Sequence, residues 1–374
     1  MRIVVAPDSF KGSLAADGVA DAVGRGIAQV LPDAEVVLRP LADGGEGTVA
    51  AALRAGYTPE SVQVAGPGGR PVMATFAVRG GDAVVELATA AGLGLAPPSP
   101  MTATTRGVGE LVVAALDRGA RRVVLGIGGS ATTDGGAGML QALGVRLLDA
   151  DGRDVPPGGG GLDRIARADA SGLHPRLREV QFVVASDVDN PLTGPTGAAA
   201  VFAPQKGASP DQVHALDAAL VRYAAVLARD LGAEVAAVRG AGGAGGTAAG
   251  ALAVGGRVVS GAGLVCDLVG LSEALAGADL AITGEGSLDA QTLGGKAPAE
   301  VARRARAAGV SCLGLAGVVA LTPAETAAAG FVAAHALTEV EPDVRRCIAE
   351  PGRLLAELTV RVLRGQESRS SPRR

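Results

Sequence analysis

Residues 1–48 read MRIVVAPDSFKGSLAADGVADAVGRGIAQVLPDAEVVLRPLADGGEGT. Ile3 to Ala6 is a short apolar run of strand type, and Leu14 to Val30 is an Ala- and Val-rich helical stretch behind Ser13, which is placed to cap it. Glu35 to Leu38 is a second strand. Strand, helix and strand in one short stretch is the repeating unit of a parallel sheet. The same grammar returns near the other end of the chain, where Leu280 to Thr283, Cys312 to Leu315 and Phe331 to His335 read as strands. The stretches Ala297 to Ala308 and Pro323 to Ala329 read as the helices between them.

Between these ends the rhythm changes. Val62 to Ala65, Val72 to Val78 and Ala83 to Leu87 are successive short strands joined by Gly-rich turns, closer to an antiparallel meander. The expected architecture is therefore α/β. A doubly wound, flavodoxin-like parallel-sheet domain is formed by both chain ends, residues 1–60 with about 265–374, around an inserted α/β domain at about 61–264. The active site is expected between the two. Residues 366–374 lack any apolar anchor and are expected to be a disordered tail.

Composition narrows the function. The formal charge is −4, and aromatic residues make up only 2%, which leaves neither a basic footprint nor stacking platforms for nucleic acid. No stretch is long and apolar enough for a membrane span or a secretory signal, so the expected compartment is the cytoplasm. Cys266, Cys312 and Cys347 have neither disulfide nor zinc spacing, and His174, His214 and His335 are scattered. Buried thiols and surface imidazoles are the expectation.

Of 34 basic residues only Lys11, Lys206 and Lys296 are lysines, and each adjoins a glycine. Where any cation suffices this chain uses arginine, so a retained lysine marks a place that needs a compact ammonium, as phosphate sites in glycine-rich turns do. Lys11 lies in Pro7-Asp8-Ser9-Phe10-Lys11-Gly12-Ser13, between the first strand and its helix, where open sheets bind ligands. Asp8 here reads equally as a turn former. Ala42 to Thr48 repeats that placement after the second strand and brings Asp43 and Glu46, suited to metal ligation or proton transfer or to simple turn punctuation.

The string from Gly126 to Gly136, GIGGSATTDGG, offers Ser130, Thr132 and Thr133 with free N–H groups as an anion cradle. Its Gly126, Gly128 and Ala131 also satisfy the dinucleotide pattern, with Asp149 as the acid on the ribose, and Gly240, Gly242 and Gly245 match a second time. Ser186 to Pro191, SDVDNP, contains the only asparagine of the chain, Asn190. Asp187 and Asp189 there are hard oxygen donors of the kind that hold Mg²⁺ beside phosphates, and in an extended segment both face the same way. Lys206 follows in PQKGAS. The glycine tract from Ala241 to Thr247 fits either a loop facing a nucleotide or a tight contact between helices. Glu285 and Asp289 add acids at the end of a late strand, and Lys296 opens the next helix. No Walker A or protein-kinase motif is present. These features favour phosphoryl transfer with Mg²⁺, in which positioning and charge stabilisation do most of the catalysis.

The strings PDSFKGS, LADGGEGT, GIGGSATTDGGAG, SDVDNPLTGPTGA, PQKGAS and TGEGSLDAQTLGGKAP, in this order, resemble the bacterial type I glycerate kinases over residues 1 to about 364. The resemblance implies ATP-dependent phosphorylation of D-glycerate, usually to the 2-phosphate with the 3-phosphate left open, on the route from glyoxylate or sugar acids. It also implies two discontinuous α/β domains. Where the family commonly has an arginine in its T-G-E-G-R pattern, this chain has Ser287.

The roles expected are as follows. Lys11 and Ser9 hold phosphate or the glycerate carboxylate. Asp187 or Asp189 binds Mg²⁺ or accepts the hydroxyl proton, Asn190 orients them, and Lys206 neutralises the transferring phosphoryl group. Asp43, Ser130, Thr132, Thr133, Glu285 and Lys296 complete the substrate and phosphate contacts. The partners expected are ATP and D-glycerate, with neither nucleic acid nor membrane, in a monomer or a homodimer. The competing readings are a non-catalytic binder of acidic metabolites and an NAD-dependent hydroxy-acid oxidoreductase.

Overall fold

The computed structural model describes residues 1–370, and their side chains as far as residue 365. Two compact units form. The first comprises Met1–Asp43, Ala50–Ala55 and Ala262 onward, and the second comprises Gly44–Val49 and Gly56–Gly261.

The first unit is built on a five-stranded, wholly parallel sheet in the spatial order Glu35–Leu38, Arg2–Val5, Leu280–Thr283, Ser311–Ala316, Ala333–Ala336. Numbered by appearance within the unit, that order is 2-1-3-4-5, the flavodoxin-like doubly wound arrangement. Its three central strands are apolar and buried over Ile3–Val5, Leu280–Ile282 and Cys312–Ala316, where both faces are covered, while the edge strands Glu35–Leu38 and Ala333–Ala336 are only partly buried. Ile3 and Val5 join Val19, Val23 and Leu358 on one side, while Val4 and Ala6 join Val265 and Val301 on the other. The helix Ala16–Val30 starts later than expected. Ser13 does not cap it: its hydroxyl donates to the Phe10 carbonyl, within a turn closed by two backbone hydrogen bonds between Phe10 and Leu14. Gly12, at φ 79°, turns the chain there. The last helix, Pro351–Ser370, runs into the stretch expected to be a tail, and residues 371–374 lie outside the described residues.

In the second unit a six-stranded sheet runs Arg257–Val259, Gln181–Ala185, Arg122–Gly126, Asp82–Glu86, Pro71–Arg79, Thr58–Ala65. Pro71–Arg79 pairs antiparallel with both of its neighbours and the remaining pairings are parallel, so the meander is the sheet's edge rather than a separate motif. Glu86, Gly126, Ala185 and Val259 stand in register at the carboxyl edge, which places GIGGSATTDGG and SDVDNP side by side. Among the described residues no helix is long and apolar enough to cross a membrane.

Candidate active site

In the first unit the strand order reverses direction between Arg2–Val5 and Leu280–Thr283, the switch point at which open α/β sheets bind ligands. The loops leaving those two strands are tied together by a hydrogen bond from the Asp8 N–H to the Gly284 carbonyl, 2.8 Å long. They form one wall of a cavity of about 350 Å³ lined by Ser9, Lys11, Ser13, Glu285, Ser287, Asp289 and Lys296, with Val318, Leu337, Val344 and Ile348 opposite in character.

Lys11 extends its ammonium into the open, 77% exposed, and stands 3.4 Å from Asp43 Oδ2. That carboxylate raises its pKa above the usual lysine value. Asp8, next to Ser9 and only 5% exposed, is the titratable centre of this region. Burial first, and then the like charge of Asp43, push its carboxyl up to about 7, against a 2.6 Å hydrogen bond from the Ser9 N–H and the nearby Lys11 ammonium. Glu285 accepts from the Thr292 hydroxyl and is raised by burial. Asp289 is kept low, chiefly by the Gln291 N–H, and also accepts from the Ser287 hydroxyl at 3.1 Å. Ser287 is therefore hydrogen-bonded within the loop. Lys296, the residue before the helix Ala297–Ala307, reaches Gln291 Oε1 at 3.2 Å.

The second unit gathers Ser130, Thr132, Thr133 and Lys206, but it seals them. Lys206 is 2% exposed and donates to Ser130 Oγ at 2.8 Å and to the Thr132 carbonyl. Burial pushes its pKa down to about 7, opposed by the charge of Asp134. Asp134 is fully buried and accepts from Thr105 N and Oγ1, 2.8 and 2.9 Å away, and from the N–H groups of Gly136 and Gly138. The hydroxyls of Thr132, Thr133 and Tyr223 are buried without a hydrogen-bond partner among the described residues. The glycine tract is a packing contact: Ala244, Gly245 and Gly246 all have positive φ, and a Cβ on Gly245 would stand 2.0 Å from the Thr132 carbonyl oxygen.

The glycines of the dinucleotide pattern are packing positions. A Cβ on Gly126 would meet the Gly44 carbonyl at 2.8 Å, and one on Gly128 would meet Gly45 Cα at 2.4 Å, so these glycines admit a neighbouring loop's backbone. Asp149 holds its own turn through the N–H groups of Asp151 and Arg153.

At the neighbouring strand end, Asp187 is exposed and accepts from Gly261 N–H at 2.8 Å. Asp189 accepts from Arg239 Nε and Nη2, each at 2.6 Å, a pairing that lowers its pKa. Asn190 Nδ2 donates to the Thr196 carbonyl at 2.8 Å, so the carboxamide braces the loop. Sequence reasoning thus brought Ser9, Lys11, Asp43, Glu285 and Lys296 to one unit and Ser130, Thr132, Thr133, Asp187, Asp189, Asn190 and Lys206 to the other. It passed over three buried acids, Asp8, Glu86 and Asp134. Asp8 carried a signal, its place immediately after a buried strand between Lys11 and the switch point; Asp134 carried none, since a glycine-rich string does not disclose burial.

A flavodoxin-like sheet with a lysine- and hydroxyl-lined cavity at its switch point defines an α/β protein whose cavity has the chemistry for an anionic ligand. The family is shown by comparison. The profile described as "Glycerate kinase family" matches residues 3–366, and the chain belongs to that family. A glycerate kinase of Bacillus subtilis (strain 168) is 48% identical over 327 residues, 85% of each chain. A glycerate 2-kinase of Escherichia coli (strain K12) is 45% identical over 324 residues, again 85% of each. The crystal structure of a candidate glycerate kinase 2 from Salmonella typhimurium LT2 superposes with a TM-score of 0.83 at 43% identity, covering 98% of this chain and 99% of that one. The chain is accordingly a phosphotransferase acting on an alcohol group.

Proposed function

We propose that the protein transfers the γ-phosphoryl group of ATP to the 2-hydroxyl of D-glycerate, in the presence of Mg²⁺. The reading rests chiefly on Asp8: a buried carboxyl at about 7, beside an exposed lysine at the switch point of the first unit. A proton acceptor works best with a pKa near the operating pH, and an ammonium point charge suits a phosphoryl group. The E. coli relative's name supports the 2-position.

The hydroxyl oxygen attacks Pγ of ATP; the new O–P bond forms as the bond from Pγ to the β,γ-bridging oxygen breaks, and ADP leaves. The hydroxyl proton passes to an Asp8 carboxylate oxygen. Lys11 and Lys296 offset the charge on the triphosphate. Asp189 is the poorer base because Arg239 holds its carboxyl below the ordinary range. Asp187 and Asp189 fit Mg²⁺ in chemistry: they are exposed oxygen donors two residues apart, and the Arg239 pair is exposed and therefore weak enough to yield. When bound, the ion would supply neutralisation of phosphate charge.

Incubating the protein with ATP, Mg²⁺ and D-glycerate, and following ADP release with phosphorus NMR of the product, tests this. A single product phosphorylated at C2 is expected. ADP release that does not depend on glycerate would contradict the proposal.

A further inference from the structure

We propose that the cavity of the first unit seats the phosphoryl donor, with a purine ring on the aliphatic wall of Val318, Leu337, Val344 and Ile348 and the phosphates at Lys11 and Lys296. The inference deepens the phosphotransferase reading and rests on it. The cavity divides by chemistry. One part carries two ammonium groups and the hydroxyls of Ser9, Ser13 and Ser287; the rest is aliphatic.

D-Glycerate bears an oxygen on each of its three carbons, so placing it against valine and isoleucine would remove its hydration and return nothing. A nucleoside triphosphate has that same division: a flat ring with apolar faces at one end and charge at the other. The volume agrees, since about 350 Å³ falls in the range of sites for cofactor-sized ligands rather than three-carbon acids.

The wall itself points to a missing cover. Val318, Val344 and Ile348 are 40%, 48% and 57% exposed, and all three line this one cavity. Single exposed aliphatic side chains are ordinary; three converging on a pocket rimmed by lysines mark a surface that a ligand covers. The acids at the mouth do not repel the phosphates unopposed. Glu285 accepts from Thr292, and Asp289 accepts from Gln291 N–H and the Ser287 hydroxyl.

The test is Ile348→Asp, at a position exposed enough to leave folding intact, with Ile348→Leu as the conservative control. Steady-state kinetics with each substrate varied, and calorimetric titration of the protein with MgATP in the absence of glycerate, are compared with the wild type. Ile348→Asp is expected to raise KM for ATP and Kd for MgATP about tenfold or more, because a charge replaces apolar contact, while KM for D-glycerate and kcat stay within about twofold. Ile348→Leu restores wild-type values. A rise in the glycerate KM with the ATP constants unmoved would assign the cavity to the acceptor and overturn the proposal, as would constants that do not move at all. Should Ile348→Asp not fold, Val318→Asp on a different element is measured in the same way: weaker ATP binding alone supports the proposal, and unmoved ATP constants overturn it. A wild-type protein that binds MgATP but phosphorylates nothing would defeat the reaction assigned above, and the MgATP titration would still decide the seat of the nucleotide.

Discussion

Lys11 and Lys206 look alike in the sequence, each a rare lysine followed by glycine, yet the two units treat them in opposite ways. The first unit leaves the Lys11 ammonium in water beside Asp43, which raises its pKa. The second buries Lys206 against Ser130 and the Thr132 carbonyl, where burial pulls its pKa to about 7. One is open to solvent; the other binds two loops of its own unit together. Scarcity of lysine therefore does not distinguish the two positions, and burial does.

The largest expected effect separates function from stability within the first unit. Asp8→Asn removes the proton acceptor and should lower kcat by about 10²-fold or more. It should also stabilise the protein at pH 8. In the unfolded chain Asp8 loses its proton near 3.8, and in the fold near 7. Between those values the native state holds the extra proton, so stability falls as pH rises from about 4 to about 7 and stays lower above, by roughly a few kcal/mol. Urea unfolding at pH 8 checks this; a variant both inactive and less stable would make Asp8 a structural residue instead.

Lys11→Ala should cost about 10²-fold in kcat with the melting temperature unchanged, because the side chain is largely in water. Lys206→Ala should show the reverse emphasis, a loss of about 2–4 kcal/mol on urea unfolding, since it opens a cavity and leaves buried acceptors unpaired. Equal destabilisation by the two substitutions would abolish the contrast between the units. The pH response also differs in sign. Lys206 binds its proton near 10.5 when unfolded and near 7 when folded, so its contribution to stability rises with pH between those values. The smallest effect on stability belongs to Asp189→Ala. Loss of an exposed ion pair should change it by less than about 1 kcal/mol, while the Mg²⁺ concentration giving half the maximal rate rises.

Much of the fold was legible because strands covered on both faces must be apolar without interruption. Ile3 to Ala6 and Leu280 to Thr283 announce themselves in this way, and both chain ends do build one doubly wound domain around a second α/β domain. The start of the first helix was less legible, since Ser13 has the chemistry of a cap but is drawn into the Phe10–Leu14 turn. Within the site, residue type identified the lysines and acids but not their surroundings. Asp8 resembles any turn aspartate until the loops after two strands far apart in sequence close over it, and Thr132 and Thr133 resemble an open cradle until Gly245 packs against them. Both outcomes depend on contacts distant in sequence, which local pattern does not encode.

The pH dependence of kcat/KM for D-glycerate, measured on wild type and Asp8→Asn at saturating MgATP, tests the central claim most directly. The wild-type profile should rise with pH and bend near 7 as Asp8 loses its proton, and the residual activity of Asp8→Asn should lack that bend. An Asp8→Asn enzyme with near wild-type turnover and the same bend would contradict the account.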